Sequence, residues 1–163
     1  GELEHKDSLG HESVLRPGDV QRMTAGTGVT HSEFNHSKVE PVHILQTWIQ
    51  PDTKGMKPDY EQKNFPINET LGAFRLIGSP DGREGSITIH QDVNLFTTSL
   101  EQGQGTEHRP APDRYGWLQV VRGSAELNGQ NLKAGDGAAL EAEEALRVVG
   151  TSEENEILLF DLA

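Results

Sequence analysis

A histidine and a glutamate two residues apart, His31-Ser32-Glu33, follow Gly26 and Gly28 in the segment Ala25–Asn35. On an extended strand, residues i and i+2 project from one face. An imidazole beside a carboxylate makes half of a metal site for a first-row transition ion. Nitrogen and oxygen donors alone leave iron, manganese, copper, nickel and zinc open. By spacing alone the pair fits a solvent-facing strand better, and His-x-Glu is a weak signal. The two glycines strengthen it slightly, since they suggest a tight backbone approach where the strand begins. The other histidines offer less. His36 lies at odd spacing from His31 and should face the opposite side. His43 sits in an apolar run as a core or wall residue, and His5 and His11 flank a hairpin loop in solvent. His90 and His108 lack a carboxylate or histidine at ligand spacing, and His108-Arg109-Pro110 reads as loop. There is no Gly-x-Ser-x-Gly nucleophile elbow. Gly26-Thr27-Gly28 opens no strand-turn-helix unit, which argues against a dinucleotide loop.

The elements that would position His31 and Glu33 are strands. No stretch keeps a 3.6-residue apolar period for three turns, and Glu141–Arg147, the best helical candidate, has no capping side chain before it. Strand candidates are His43–Ile49, Ser86–His90, Asn94–Leu100, Trp117–Val121 and Glu156–Leu162, and Asn128-Gly129 is a hairpin turn signal. The polar stretch Pro51–Pro66 reads as a connector. It divides the chain into residues 1–57 and 58–163. Trp117, Val120, Leu132 and Leu159 are expected in the core of the second unit.

An internal repeat links the two parts. Gly1-Glu2-Leu3-Glu4 leads through a loop to Arg16-Pro17-Gly18-Asp19, and Gly123-Ser124-Ala125-Glu126 leads through Asn128-Gly129 to Lys133-Ala134-Gly135-Asp136. Each copy runs strand, hairpin, Gly-Asp turn, strand, which suggests a small β-barrel present twice. Counted from the two Gly-Asp turns, Val148 and Gly150 stand where His31 and Glu33 do. The second copy therefore has no ligands there.

The 163 residues hold 14 Lys and Arg against 26 Asp and Glu, a formal net charge of −12. An acidic surface repels nucleic acid and anionic membrane, so neither is expected as a partner. With no cysteine there is no disulfide, zinc ribbon or thiol nucleophile. A mean hydropathy of −0.60 and short apolar runs leave nothing to span a membrane, and a cytoplasmic location is expected.

Several runs resemble the pirin family of bicupins. They are Gly1–Ser8, Pro17–Gly26, His31-Ser32-Glu33, Gln46–Pro51, Ser79–Ser86, Ile89–Asp92, Trp117–Gly123 and Leu158–Leu162. The resemblance implies an all-β double-stranded β-helix, the cupin or jelly-roll barrel, present twice. It also implies a metal, usually iron, held in the first barrel by three histidines and one glutamate. His31 and Glu33 match the last two ligands. The other two histidines would lie upstream of Gly1, so the first barrel is expected to be incomplete and the second complete. At the equivalent positions of the second barrel, the family's spacing lands on Arg109 and Ala111, which are not ligands.

Bacterial members of the family resemble quercetinase, a dioxygenase of flavonols, while eukaryotic pirins are regarded as regulators that bind transcription factors. Three readings stay open. The chain is part of a metal-dependent dioxygenase acting on flavonols such as quercetin, a non-enzymatic metal-dependent regulatory protein, or an inactive fragment. In the first, Glu33 serves as ligand, as base, or as each in turn. Exposed barrel edges would invite self-association.

Overall fold

A computed structural model describes residues 1–163 as an almost wholly β chain. The N-terminal part contains β1 (Leu3–Asp7), β2 (Glu12–Leu15), β3 (Asp19–Thr24), β4 (His31–Asn35) and β5 (Asp59–Asn64). A four-residue helix, α1 (Ile67–Thr70), leads into β6 (Arg75–Ser79), β7 (Ile87–Thr88), β8 (Val93–Leu100), β9 (Gly105–His108) and β10 (Tyr115–Arg122). The chain ends with β11 (Ser124–Leu127), β12 (Gln130–Lys133), β13 (Gly137–Glu141), β14 (Leu146–Gly150) and β15 (Asn155–Leu162).

In the C-terminal half a six-stranded sheet, β13-β10-β15-β8-β6-β7, faces a four-stranded sheet, β12-β11-β14-β9. Strand alternation builds the core between them. On β15 the residues Asn155, Ile157, Leu159 and Asp161 point inward, and Leu118, Val120, Leu127, Leu146 and Val148 meet them. Val120 and Leu159 are fully buried and Leu132 packs against the cluster, as expected. Trp117 is 41% exposed instead, because its neighbour Leu118 takes the inward position on β10.

The N-terminal half has a three-stranded sheet, β2-β1-β4, and a two-stranded ladder, β3-β5. β5 lies inside the stretch read as a connector. Its polar sequence forms a strand because β3 offers a full antiparallel register, from Asp19↔Asn64 to Thr24↔Asp59. His43–Ile49 is not a strand. No neighbouring strand pairs with it, and Trp48 is 90% exposed. The repeat holds at the level of atoms. Gly18 and Gly135 both take φ 91°, a region that favours glycine. The Asp19 carboxylate accepts from the Arg16 amide at 2.8 Å, and the Asp136 carboxylate from the Lys133 amide at 3.0 Å.

A polar cluster closes one end of the C-terminal core. Asp161 accepts from His108 Nε2 at 3.0 Å and from the Arg114 guanidinium, and Arg114 also reaches the main-chain oxygen of Asp161. His108, expected in a loop, therefore ends β9 with a carboxylate partner. Burial alone would raise the Asp161 carboxyl, but the hydrogen bonds and charges of His108 and Arg114 outweigh it and hold it below the usual carboxylate range. A carboxyl depressed in the fold stabilises it above the unfolded value of ~3.9, and that stability is lost as pH falls through the folded value. Asp161→Ala should destabilise the chain by about 3 kcal/mol at neutral pH. It should also flatten the acid side of the stability curve, as read by urea denaturation at neutral and acidic pH.

Candidate functional site

The inner face of the β2-β1-β4 sheet is polar. On β1, Leu3, His5 and Asp7 are buried while Glu4 and Lys6 point outward. The antiparallel register sets His5 opposite Glu33 and Asp7 opposite His31. Paired residues share a face, so the His-x-Glu pair of β4 stands beside the buried His-x-Asp pair of β1. His31 itself is exposed at the rim, and the Glu33 side chain is 19% exposed. Gly26 introduces β4 with φ 52°, and a Cβ there would come within 2.2 Å of the Met56 main-chain oxygen. The close approach suggested by the sequence is real at Gly26. Gly28 has open space around it.

His5 is the largest departure from the sequence reading. It was expected in solvent and is 0% exposed. Leucine-like burial of an imidazole next to the β1–β2 turn follows from Asp7. That carboxylate accepts from the Leu9 and His11 amides at 2.9 and 3.0 Å, and from His11 Nδ1 at 2.9 Å. His5 Nε2 adds a long contact at 3.4 Å. Burial alone would raise the Asp7 carboxyl, but these hydrogen bonds prevail and hold it far below the ordinary range. An ionised carboxylate only accepts, so the His11 nitrogen 2.9 Å from Asp7 carries hydrogen.

The opposite wall comes from β3 and β5. Gln21 Nε2 donates to Glu33 Oε1 at 2.5 Å, and Gln21 Oε1 accepts from the Tyr60 hydroxyl at 3.0 Å. Tyr60 also meets Ser13 Oγ at 3.0 Å and stacks on the rings of His5 and His11, with centroids 5.0 and 4.8 Å away. Tyr60 and Gln21 carried no sequence signal, because the strand that holds Tyr60 was read as connector.

Imidazole and carboxylate donors on one face suit a first-row transition ion. The set on this chain is small, however. No three His, Cys, Asp or Glu side chains converge well enough to hold a metal ion. One buried ring atom, His5 Nδ1, has no hydrogen-bond partner and lies 3.5 Å from Glu33 Oε1. His36 instead pairs with Glu4 on the outer face at 3.1 Å, as its spacing from His31 implied. The duplicate half also refines the comparison of the two copies. The ladder Ala125↔Gly150, Leu127↔Val148 mirrors Leu3↔Asn35, His5↔Glu33, so Val148 occupies the place of Glu33 and Leu146 that of His31. The count from the Gly-Asp turns was two residues long. The conclusion stands, because apolar core replaces both candidate ligands.

The Tyr60 phenol should ionise above the ~10 of free tyrosine, because burial and the charges of Asp7, Asp19 and Glu33 outweigh its bond to Ser13. An ultraviolet pH titration should show a late phase that disappears in Tyr60→Phe.

No helix is long and apolar enough to cross a membrane. Residues 1–49 match the Pirin model, and residues 76–162 match the model described as the quercetinase C-terminal cupin domain. The chain is 40% identical over 162 residues to a protein of Escherichia coli strain K12 named quercetin 2,3-dioxygenase, covering 99% of this chain and 68% of that protein. It is 34% identical over 164 residues to a pirin-like protein of Caulobacter vibrioides, covering 100% of this chain and 70% of that one. The crystal structure of YhhW from Escherichia coli superposes with a TM-score of 0.92 at 39% identity, over 100% of this chain and 68% of that one. The same bacterial pirin in complex with nickel(II) gives a TM-score of 0.90 at 39% identity, over 99% and 68%. With both cupin models matched and this likeness running along the whole chain, the protein belongs to the pirin family of cupins.

Proposed function

We propose that the inner face of β1 and β4 belongs to a metal-dependent dioxygenase site for flavonols such as quercetin. The observation that carries this reading is the polar wall itself. His5, Asp7 and Glu33 occupy the inside of a sheet whose duplicate copy buries Leu127 and Val148. Burying polar groups costs on the order of 1–3 kcal/mol each unless they are hydrogen-bonded, so a fold keeps such a wall where chemistry needs it. The names of the relatives, and the nickel bound by one of them, support the substrate class and the cofactor.

In this reading His31 and Glu33 supply two of the metal ligands, and the rest of the set comes from outside these 163 residues. A bound divalent ion supplies Lewis acidity toward a substrate hydroxyl. Glu33, whose side chain is partly open, would accept the proton of that hydroxyl. Gln21 holds Oε1 of Glu33 in place, and Tyr60 holds Gln21. The exposed rim at His31 is the side from which substrate enters.

Two measurements test this. Calorimetric titration of the chain with nickel(II), iron(II), manganese(II) or copper(II) should show weak binding that Glu33→Ala removes. Stoichiometric metal that survives chelator in both His31→Ala and Glu33→Ala would place the ion elsewhere. The chain extended to the full length of its relatives and loaded with metal should consume oxygen with quercetin while the flavonol absorption band fades. His31→Ala should lower that rate by about 100-fold or more. No uptake with any of the four metals would rule out the dioxygenase reading.

A further inference from the structure

Tyr60 lies on β5, in the stretch 50–75 that neither family model matches, yet it reaches the candidate site through Gln21. Its hydroxyl stands between two side-chain amides. Gln21 Oε1 accepts from it at 3.0 Å and Gln62 Oε1 at 2.9 Å. One hydroxyl hydrogen is shared by these two oxygens, so Ser13 Oγ, 3.0 Å away, is the donor to the phenol oxygen. A carboxylate fixes the far end of each amide. Gln21 Nε2 donates to Glu33 Oε1 at 2.5 Å, and Gln62 Nε2 to Asp19 Oδ2 at 3.4 Å. An amide turned over at either end would set oxygen against oxygen. The series Glu33, Gln21, Tyr60, Gln62, Asp19 therefore has one arrangement of donors, and it ties β4 to the Gly-Asp turn that starts β3. Its effect falls on Glu33. Oε1 is taken by Gln21, whereas no group of the chain donates to Oε2, and the side chain is 19% exposed.

We propose that Tyr60 is a positioning residue that acts on Glu33 through Gln21, so that Glu33 presents one oxygen, Oε2, to a divalent ion. A carboxylate free to rotate offers either oxygen or both. One held at Oε1 by an oriented amide offers the other from a fixed place. Tyr60 touches neither the ion nor a substrate in this role. The ion rests on the function proposed above, whereas the relay rests on the hydrogen bonds of this chain.

The test is a double-mutant cycle with nickel(II) as the probe. Tyr60→Phe keeps the ring stacked between His5 and His11 and removes only the hydroxyl. Gln21→Met keeps the length of the side chain and removes the amide. Nickel affinity is read by competition with a chromophoric chelator, on the chain extended to the full length of its relatives. Each single variant should weaken it about tenfold. In Gln21→Met, adding Tyr60→Phe should cost nothing more, since the hydroxyl acts through the amide. A tyrosine with a merely structural role would give the same loss in both backgrounds. On the metal-free chain, proton exchange of the Gln21 side-chain amide, followed by NMR, should run about fivefold faster in Tyr60→Phe than in wild type. Wild-type nickel affinity in Tyr60→Phe overturns the proposal, and so do additive losses. Nickel affinity unchanged in Glu33→Ala overturns the metal reading instead, and the amide exchange then decides the relay alone. Equal exchange rates in wild type and Tyr60→Phe overturn the relay in either case.

Discussion

A buried carboxylate organises the N-terminal half. Asp7 ends β1 and turns its oxygens back over the hairpin, where the amides of Leu9 and His11 and the ring of His11 satisfy them. An ionised group in this position is tolerable only while those donors stay in place. The hairpin is therefore fixed by its own last inward residue. From that residue the pleat does the rest. Asp7 inward makes His5 inward, and the β1–β4 register then presents Glu33 to His5 and His31 to Asp7. A slip of one residue would bury Lys6 and Glu4 and turn every polar group of the site to solvent.

Much of the C-terminal half was legible because its strands are alternating and bounded by clear turns. β8, β10 and β15 appeared close to their true limits, and Asn128-Gly129 makes the expected hairpin with φ 46° and 85°. The repeat was legible for a related reason. A Gly-Asp turn needs positive φ at the glycine and a carboxylate to cap the preceding amide, and both requirements leave letters in the sequence. His31 and Glu33 were legible as a pair on one face. His5 was not, since nothing local marks an imidazole as buried. Beyond the inward turn set by Asp7, its ring is covered by Tyr60, which lies 55 residues away in a strand with no apolar alternation. Asp59–Asn64 has the composition of a loop and becomes β5 only because β3 pairs with it. The opposite error occurred at His43–Ile49, where an apolar run without a pairing strand stays irregular and exposed.

The β3–β5 ladder also joins the two halves. One face of it carries Gln21 and Tyr60 toward the candidate site. The other carries Arg22 to Asp59 and Glu61, while Glu61 accepts from the Thr88 amide at 3.0 Å and Lys63 donates to the Ser86 main-chain oxygen at 2.6 Å. Val20 packs with Phe65, Ile77 and Ile87 beneath these contacts. The wall that positions Glu33 is thus anchored in the second unit, which has no ligands of its own at the matching places.

That arrangement explains why the duplicate can be apolar without being idle. A sheet that buries His5 and Asp7 and half-buries Glu33 gives up much of the hydrophobic stabilisation that its copy obtains from Leu127, Leu146 and Val148. The loss is offset where the polar wall leans on a well-packed neighbour through β3 and β5. The division follows from one physical limit. A single small β-sandwich cannot be both a dry core and a polar cavity at the same strand positions, and a tandem copy lets each sheet face specialise. Polar residues occupy these registers on one side only, and leucine and valine take the same registers on the other.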